Sequence, residues 1–366
     1  MFKLLHTADW HIDAQPALLQ GKRDEYKKQR YRTAEAIADR ARREKVDAVV
    51  IAGDLFDRWE IKYAVLKRTI EILDRFAPIP VYIIPGNHDP LIPDGVWDSR
   101  LWKTAGDHVH RCVSESAIEI GKNAVLYPCR LLGKSSAEDP TCWIPAREEE
   151  DDRIRIGLAH GSVQHRPEYD EIPVDPDRAT SVGLTYLALG HWHSPYAGGR
   201  AVYPGGIEPT RFGEPVGGFA LVEFADGVAD PAIEHCECGT FCWHDSQPAI
   251  HTIEDVQGLQ ATIAGLMARH ELVLRVAPDV SQVTDSGVLN ELDRLRDDVH
   301  ERAFFNDWEY DDYQRVVLTD PDSVPAGIIR TVWQELERMV ESGMANPEVA
   351  RAALIELQRI TQQVVR

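Results

Sequence analysis

Five short motifs, each placed just past a short aliphatic run, constrain this chain more than any other feature of its sequence. They are Asp9-Trp10-His11, Gly53-Asp54-Leu55-Phe56-Asp57, Gly86-Asn87-His88-Asp89, His160-Gly161 and Gly190-His191-Trp192-His193. The runs before them are Phe2 to Leu5, Ala48 to Ala52, Val81 to Ile84, Ile154 to Ala159 and Tyr186 to Leu189; Ala124 to Tyr127 is a sixth of the same kind. Such runs read as strands buried on both faces. Helical stretches, about Tyr31 to Lys45 and Tyr63 to Phe76, separate the first three. The second of these spaces Val65, Leu66, Ile70, Ile72, Leu73 and Phe76 as an amphipathic helix. Strand–helix–strand repetition predicts an α/β layered domain. Open α/β sheets bind ligands beyond the carboxyl ends of their strands. The five motifs are therefore expected to converge on one cleft.

The residue types define the chemistry of that cleft. Asp9, Asp54, Asn87, His11, His160, His191 and His193 form a mixed set of carboxylate, amide and imidazole ligands. Mixed oxygen and imidazole donors suit manganese, iron or zinc better than magnesium or calcium. Seven donors exceed one tetrahedral site and fit two adjacent ions if a carboxylate bridges. Two metals side by side bind phosphate oxygens, lower the pKa of a bridging water and clamp an in-line displacement. His88, next to Asn87, is the natural proton donor to a leaving oxygen, and Asp57 is expected to orient it. Any one of these fragments occurs by chance; five in order, each after a strand, do not. Trp10 and Trp192 fill the middle positions of two motifs, where packing between loops is the commoner role and stacking on a base the sharper one.

Composition bounds the remainder. Hydrophobic residues make up 43% of the 366, enough for a normal core. Met1 to His6 is too short and too soon polar for a signal peptide, and no apolar run approaches membrane-spanning length. A cytoplasmic protein with reduced cysteines and no membrane association is expected. The net charge of −20 argues against a protein that coats nucleic acid unaided. It leaves a nuclease open, because bound cations supply local positive charge. Residues 21 to 43 form a local exception, with Lys22, Arg23, Lys27, Lys28, Arg30, Arg32, Arg40, Arg42 and Arg43 against four acidic side chains. They make either a phosphate-facing patch or a solvated helix face. Cys236, Cys238 and Cys242 crowd together, but Cys-x-Cys-x3-Cys lacks paired Cys-x2-Cys knuckles. A strand that carries cysteines is the plainer reading than zinc.

Past residue 250 the pattern changes. Ile253 to Arg269 reads as a helix, Glu271 to Val276 as a strand and Val288 to Arg302 as a helix. Asp320-Pro321-Asp322 breaks the chain, and two helical segments follow, about Ala326 to Glu341 and Pro347 to Val365, divided by Ser342-Gly343. Three parts are expected: residues 1–250, a small α/β unit over 251–319, and a helical pair over 320–366.

The five motifs closely resemble those of the calcineurin-like metallophosphoesterases, which run D-x-H, G-D-x-x-D, G-N-H-D/E, H and G-H-x-H. The resemblance implies a four-layer α/β sandwich with Asp54 as the bridging carboxylate. Asp9, His11 and His193 would complete one metal site, and Asn87, His160 and His191 the other. His88 takes the place of the catalytic histidine. A narrower likeness lies in His6-Thr7-Ala8-Asp9-Trp10-His11, Ile51 to Asp57, Tyr203-Pro204-Gly205-Gly206-Ile207, Phe212-Gly213-Glu214 and Gly218-Phe219. These are similar to SbcD-type DNA repair exonucleases, the bacterial counterparts of the Mre-eleven nuclease, and to their YhaO-type relatives. That likeness implies a manganese-dependent exonuclease or endonuclease at DNA ends, with residues 251–319 as a capping domain. It implies a homodimer formed through a helix such as Tyr63 to Phe76. It also implies an SbcC-type coiled-coil ATPase held by the C-terminal helical pair. A phosphatase or small-molecule phosphodiesterase, and a catalytically silent scaffold, are the alternatives. The metal core alone does not choose a substrate.

Overall fold

The computed structural model describes residues 1–163, 172–309, 324, 326–342 and 347–364. The chain divides into two compact units, Met1–Trp243 and His244–Arg366.

Two six-stranded sheets form the first unit. One takes the order β12 (Ala232–Glu237), β11 (Gly218–Phe224), β1 (Phe2–Thr7), β2 (Ala48–Ala52), β3 (Val81–Ile84), β4 (Val109–Arg111). The other runs β5 (Ile118–Ile120), β6 (Ala124–Pro128), β7 (Ile154–His160), β8 (Tyr186–Gly190), β10 (Ala201–Tyr203), β9 (Tyr196–Gly198). Strands β1 to β4 are mutually parallel, as are β6, β7, β8 and β10. The motif-bearing ends of β1, β2, β3, β7 and β8 therefore belong to parallel runs.

Strand periodicity explains the layering. Leu4, Val50, Tyr82 and Ile84 of the first sheet share one core with Leu126, Ile156, Leu158, Tyr186 and Ala188 of the second. Leu5, Val49, Ile51, Val81 and Ile83 face the other way, onto Ile37 and Ala38 of α1 (Arg23–Glu44) and Leu66, Ile70 and Leu73 of α2 (Tyr63–Leu73). The outer face of the second sheet, with Val125, Leu187 and Leu189, is covered by Ile144, Val163, Val174, Ala179 and Val182. Only Ala179 of those comes from a helix, the short α3 (Arg178–Ser181). The result is the expected α/β sandwich, with its fourth layer built mainly of irregular chain. Because both faces of each central strand are buried, the runs are continuously apolar.

All seven expected strands form, and so do the expected helices, all but the first near their predicted bounds. The first helix starts earlier, at Arg23, and a 3-10 turn over Asp74–Phe76 continues α2. Strands β4, β5 and β9 escaped the sequence reading because three-residue edge strands carry no periodicity to read. The basic stretch is split by its helix. Arg30 is buried and Lys27 pairs with Asp13 at 2.7 Å, while Lys28, Arg32, Arg42 and Arg43 are exposed. Cys236 and Cys238 pack against the helix-side core, and the six cysteines form no disulfide with one another. Among the described residues the three clustered cysteines do not gather into a group able to hold an ion.

Strand β13 (Phe241–Ser246) runs across the division. The second unit then carries α4 (Ile253–Met267), whose Thr252 and Asp255 form a capping box, and β14 (Glu271–Val276). From β14 the chain crosses through α5 (Ser286–Arg302) to β15 (Phe305–Trp308), which pairs parallel with β14. Two helices, α6 (Ile328–Ser342) and α7 (Pro347–Val364), pack through Trp333 and Leu354, both fully buried. The expected breaks at Asp320 to Asp322 and at Gly343 lie outside the described residues, as do residues 310–319. Among the described residues no helix is long and apolar enough to cross a membrane.

Candidate metal centre

The loops after β1 and β2 run side by side. Asp9 N donates to the Gly53 carbonyl at 3.2 Å, His11 N to that of Asp54 at 3.0 Å, and Ile12 N to that of Leu55 at 3.0 Å. The loop after β3 is tied on by Asp89, which is fully buried. Its carboxylate accepts from Gly86 N at 2.7 Å and from Phe56 N at 3.0 Å. His88 N donates to Asp54 Oδ1 at 2.8 Å. Across the sheets, His191 N donates to both carboxylate oxygens of Asp9, at 3.0 and 3.1 Å.

This closeness depends on glycine and on unusual backbone. A Cβ on Gly53 would lie 2.4 Å from His160 Nδ1, on Gly86 2.1 Å from Asp54 Oδ1, and on Gly190 1.9 Å from the Ala52 carbonyl. Asp9, His11, Asp54 and His191 all adopt left-handed backbone, with φ of 51°, 40°, 49° and 103°. Non-glycine residues rarely do so, and such strain gathers at functional sites.

The convergence expected of the motifs is found. Asp9, His11 and His193 place donor atoms within 4.8 Å of one another, as do Asp9, Asp54 and His160. Oδ2 of Asp54 is 3.7 Å from His11 Nε2 and 3.4 Å from His160 Nε2. Asn87 Oδ1 is 2.8 Å from His160 Nε2 and 3.1 Å from His191 Nδ1. All seven sequence-predicted metal ligands thus meet in one cleft. Asp57 and His88 meet too: a carboxylate oxygen of Asp57 and ring nitrogens of His88 and His11 lie within 4.8 Å of one another, though the direct hydrogen bond to His88 does not come from that carboxylate. His88 Nδ1 donates to the Asp57 backbone carbonyl at 2.9 Å. The Asp57 carboxylate is instead 3.6 Å from His11 Nδ1 and 3.3 Å from Arg58 Nη2.

The hydrogen bonds determine which ring nitrogens offer lone pairs. A carbonyl oxygen only accepts, so His160 Nδ1 donates to Ala52 O at 2.8 Å. Its Nε2, aimed at Asn87 Oδ1 and Asp54, then carries the lone pair when the ring is neutral. His193 Nδ1 lies 2.7 Å from Glu214 Oε1, which leaves its Nε2 facing His11 Nε2 at 2.9 Å. Lone pairs and carboxylates converging at these distances require positive charge between them. Burial works against a charged His160, yet Asp54 and Asp9 push it up to about 9. Burial would raise Asp54, but His160, His11 and His88 hold it well below the usual carboxylate range. Burial drives His191 down to about 3 and lowers His11. The donor set and its charge therefore fit divalent cations.

A cavity of about 770 Å³ opens over this cleft. Asp54, Asn87, His88, His191 and His193 line it, together with Tyr196, Arg211 and Phe212. Trp192 also borders it, stacked on Tyr203 at 4.5 Å and 12°. Trp10 is buried instead, with its indole N–H on Thr7 Oγ1, and takes the packing role.

The sequence matches the calcineurin-like phosphoesterase family over residues 2–195. The chain belongs to that family. Its members are metal-dependent phosphoester hydrolases that use two divalent ions. Among curated relatives, the DNA double-strand break repair protein Mre11 of Aeropyrum pernix is 30% identical over 237 residues, 58% of this chain and 55% of that one. The metallophosphoesterase YhaO of Bacillus subtilis is 28% identical over 249 residues, 61% and 57% of the two chains. The SbcD component of the nuclease SbcCD of Staphylococcus epidermidis is 39% identical over 90 residues, 24% and 23%. The chain spans about half the length of the first two relatives and about a quarter of the third. Similar solved structures include TT1561 of Thermus thermophilus, at TM-score 0.42 and 13% identity, covering 65% of this chain and 99% of that one. A dimetal phosphatase from Danio rerio has TM-score 0.41 and 12% identity, covering 64% and 96%.

Three contributors escaped the sequence reading. Glu214 holds His193, Asp89 joins two motif loops, and buried Arg30 donates to the carbonyls of Trp10 and Glu208 at 2.6 and 2.8 Å. Asp89 ends one of the five motifs and Glu214 lies in the Phe212-Gly213-Glu214 element, but neither has a side chain that the motif pattern assigns a task. Arg30 was hidden in a run of exposed cations.

Proposed function

We propose that this chain is a two-metal DNA nuclease that hydrolyses phosphodiesters at DNA ends as exonuclease or endonuclease. The observation that carries the reading is the meeting of seven candidate metal-donor side chains under a cavity that His88 borders. Asp9, His11 and His193 would hold one ion and Asn87, His160 and His191 the other, with Asp54 shared between them. Its Oδ2, set between His11 and His160, supports that role. Bound divalent ions, most simply Mn2+, would supply Lewis-acid binding of phosphate oxygens and an activated water.

The chain's own groups do the remainder. His88 donates through Nδ1 to a carbonyl, which orients Nε2 for delivering a proton to the leaving oxygen. Asp57 contributes its carbonyl to His88 and its carboxylate to His11, so it supports both proton donor and ligand.

DNA as substrate draws support from the relatives named for DNA double-strand break repair and for the SbcCD nuclease. On the same reading residues 1–250 are the nuclease domain, 251–319 the capping domain and 320–366 the segment that grips an SbcC-type ATPase. Ile328, Val332, Val349 and Ile360 of the helical pair are exposed, which suits a partner-binding face. Exposed Tyr63 at the start of α2 suits a homodimer contact.

The test is cleavage of labelled duplex and single-stranded DNA with Mn2+ by wild type, His88→Ala and Asp54→Ala. Both variants are expected to lose cleavage, His88→Ala while still binding metal. Robust cleavage by Asp54→Ala would sink the two-metal mechanism. Turnover of small phosphoesters with none of DNA would replace the substrate class.

A further inference from the structure

Glu214 belongs to none of the five motifs, yet it touches both sides of the site. Its Oε1 accepts from His193 Nδ1 at 2.7 Å and from Arg211 Nε at 3.0 Å. Its Oε2 accepts from Thr210 N at 2.6 Å and Thr210 Oγ1 at 3.1 Å. The Thr210 bonds hold the carboxylate itself in place before it meets either partner. A neutral imidazole chooses between two tautomers, and an acceptor at Nδ1 selects the one whose lone pair is on Nε2. That nitrogen faces His11 across the cleft. Arg211, with a side chain 63% exposed, lines the cavity. A guanidinium there presents forked donors of the kind that bind phosphate.

We propose that Glu214 is a positioning residue that couples the two halves of the site: it locks His193 in its metal-binding tautomer and holds Arg211 on the cavity wall to take a substrate phosphate oxygen. The proposal rests on the two-metal phosphodiesterase reading above. It makes one carboxylate responsible for both metal affinity and substrate affinity, through different neighbours.

The full chain is prepared metal-free. Long-range 1H–15N correlation reads the His193 tautomer, with His193→Gln to assign the signals. EPR-monitored titration then reads Mn2+ affinity before any substrate is present. Wild type is expected to show the Nδ1–H form. Glu214→Ala should mix the tautomers and weaken Mn2+ binding about 10- to 100-fold. Glu214→Gln, whose amide oxygen still accepts, should keep the tautomer and lose less affinity. Glu214→Asp, too short to reach Nδ1, replaces the alanine variant if that one fails to fold, and should also bind Mn2+ more weakly. Arg211→Ala should leave Mn2+ binding unchanged and raise KM for bis(p-nitrophenyl) phosphate with little effect on kcat. Wild-type tautomer and Mn2+ affinity in Glu214→Ala, or in Glu214→Asp where it stands in, overturn the His193 half. Unchanged KM in Arg211→Ala overturns the phosphate half. A wild type that binds no Mn2+ overturns the two-metal reading itself, and is distinguished from these because it is read first.

Discussion

Gly86 shows how little room the ligand loops leave one another. A methyl group there would fall 2.1 Å from Asp54 Oδ1 and 2.3 Å from Asp54 N, both held by the fold. Gly86→Ala is therefore expected to destabilise the metal-free protein by about 1–3 kcal/mol and to weaken metal binding, measured by urea unfolding and Mn2+ titration. Wild-type values for both would show that the loops yield. Glu214 gives a second residue-scale expectation. Burial alone would raise its carboxyl, but His193 brings it from 4.5 to about 2. A carboxylate depressed on folding stabilises the native state above its unfolded pKa. That contribution, on the order of 3 kcal/mol, is lost as pH falls from 4.5 through about 2. Glu214→Gln should flatten this acid limb in metal-free unfolding curves; an unchanged limb would place the depression elsewhere. Such residues also mark where the sequence was legible. The seven donors could be read because a donor is named by its side chain. Glu214 was passed over because its role lies in what it accepts from, which only three-dimensional placement reveals.

At the scale of the element, α1 is more than a cover for the first sheet. Arg30 reaches inward from it and donates to Trp10 O in the first motif loop and to Glu208 O in the loop after β10. Glu208 is itself buried and accepts from Thr240 N at 2.8 Å and Phe241 N at 3.0 Å. Arg30→Ala leaves two buried carbonyls without that donor, at about 1–3 kcal/mol each. A loss of roughly 3 kcal/mol in urea unfolding is expected, accompanied by weaker Mn2+ binding. Arg30→Lys should recover only part of it, since an ammonium lacks the planar fork. The central strands and main helices were legible because burial on both faces writes continuous apolar runs and burial on one writes a 3.6-residue period. The edge strands and the irregular outer layer write neither. Their places are set by partners distant in sequence, as Val163 N is set by Tyr203 OH at 3.0 Å.

At the scale of the whole molecule, the seven donors all come from the first compact unit, between Asp9 and His193. Residues 1–250 alone are expected to fold and to bind Mn2+ with the affinity of the full chain, measured by thermal melting and metal titration. A fragment that melts broadly or binds no metal would show that the first unit depends on the remainder. Removal of the residues after Asp320 is expected to leave metal binding intact and to abolish co-purification with a coiled-coil ATPase; unchanged co-purification would refute the assignment of the helical pair. The left-handed turns at Asp9, His11, Asp54 and His191 carry a further implication. Asp9 and His11 are held by backbone hydrogen bonds to Gly53 and Asp54, and His191 by the Asp9 carboxylate. Two of the donors are also fasteners: the Asp9 carboxylate holds His191 N and that of Asp54 holds His88 N. A descendant of this chain that gave up its chemistry would therefore still be obliged to keep those two aspartates, as struts of the fold.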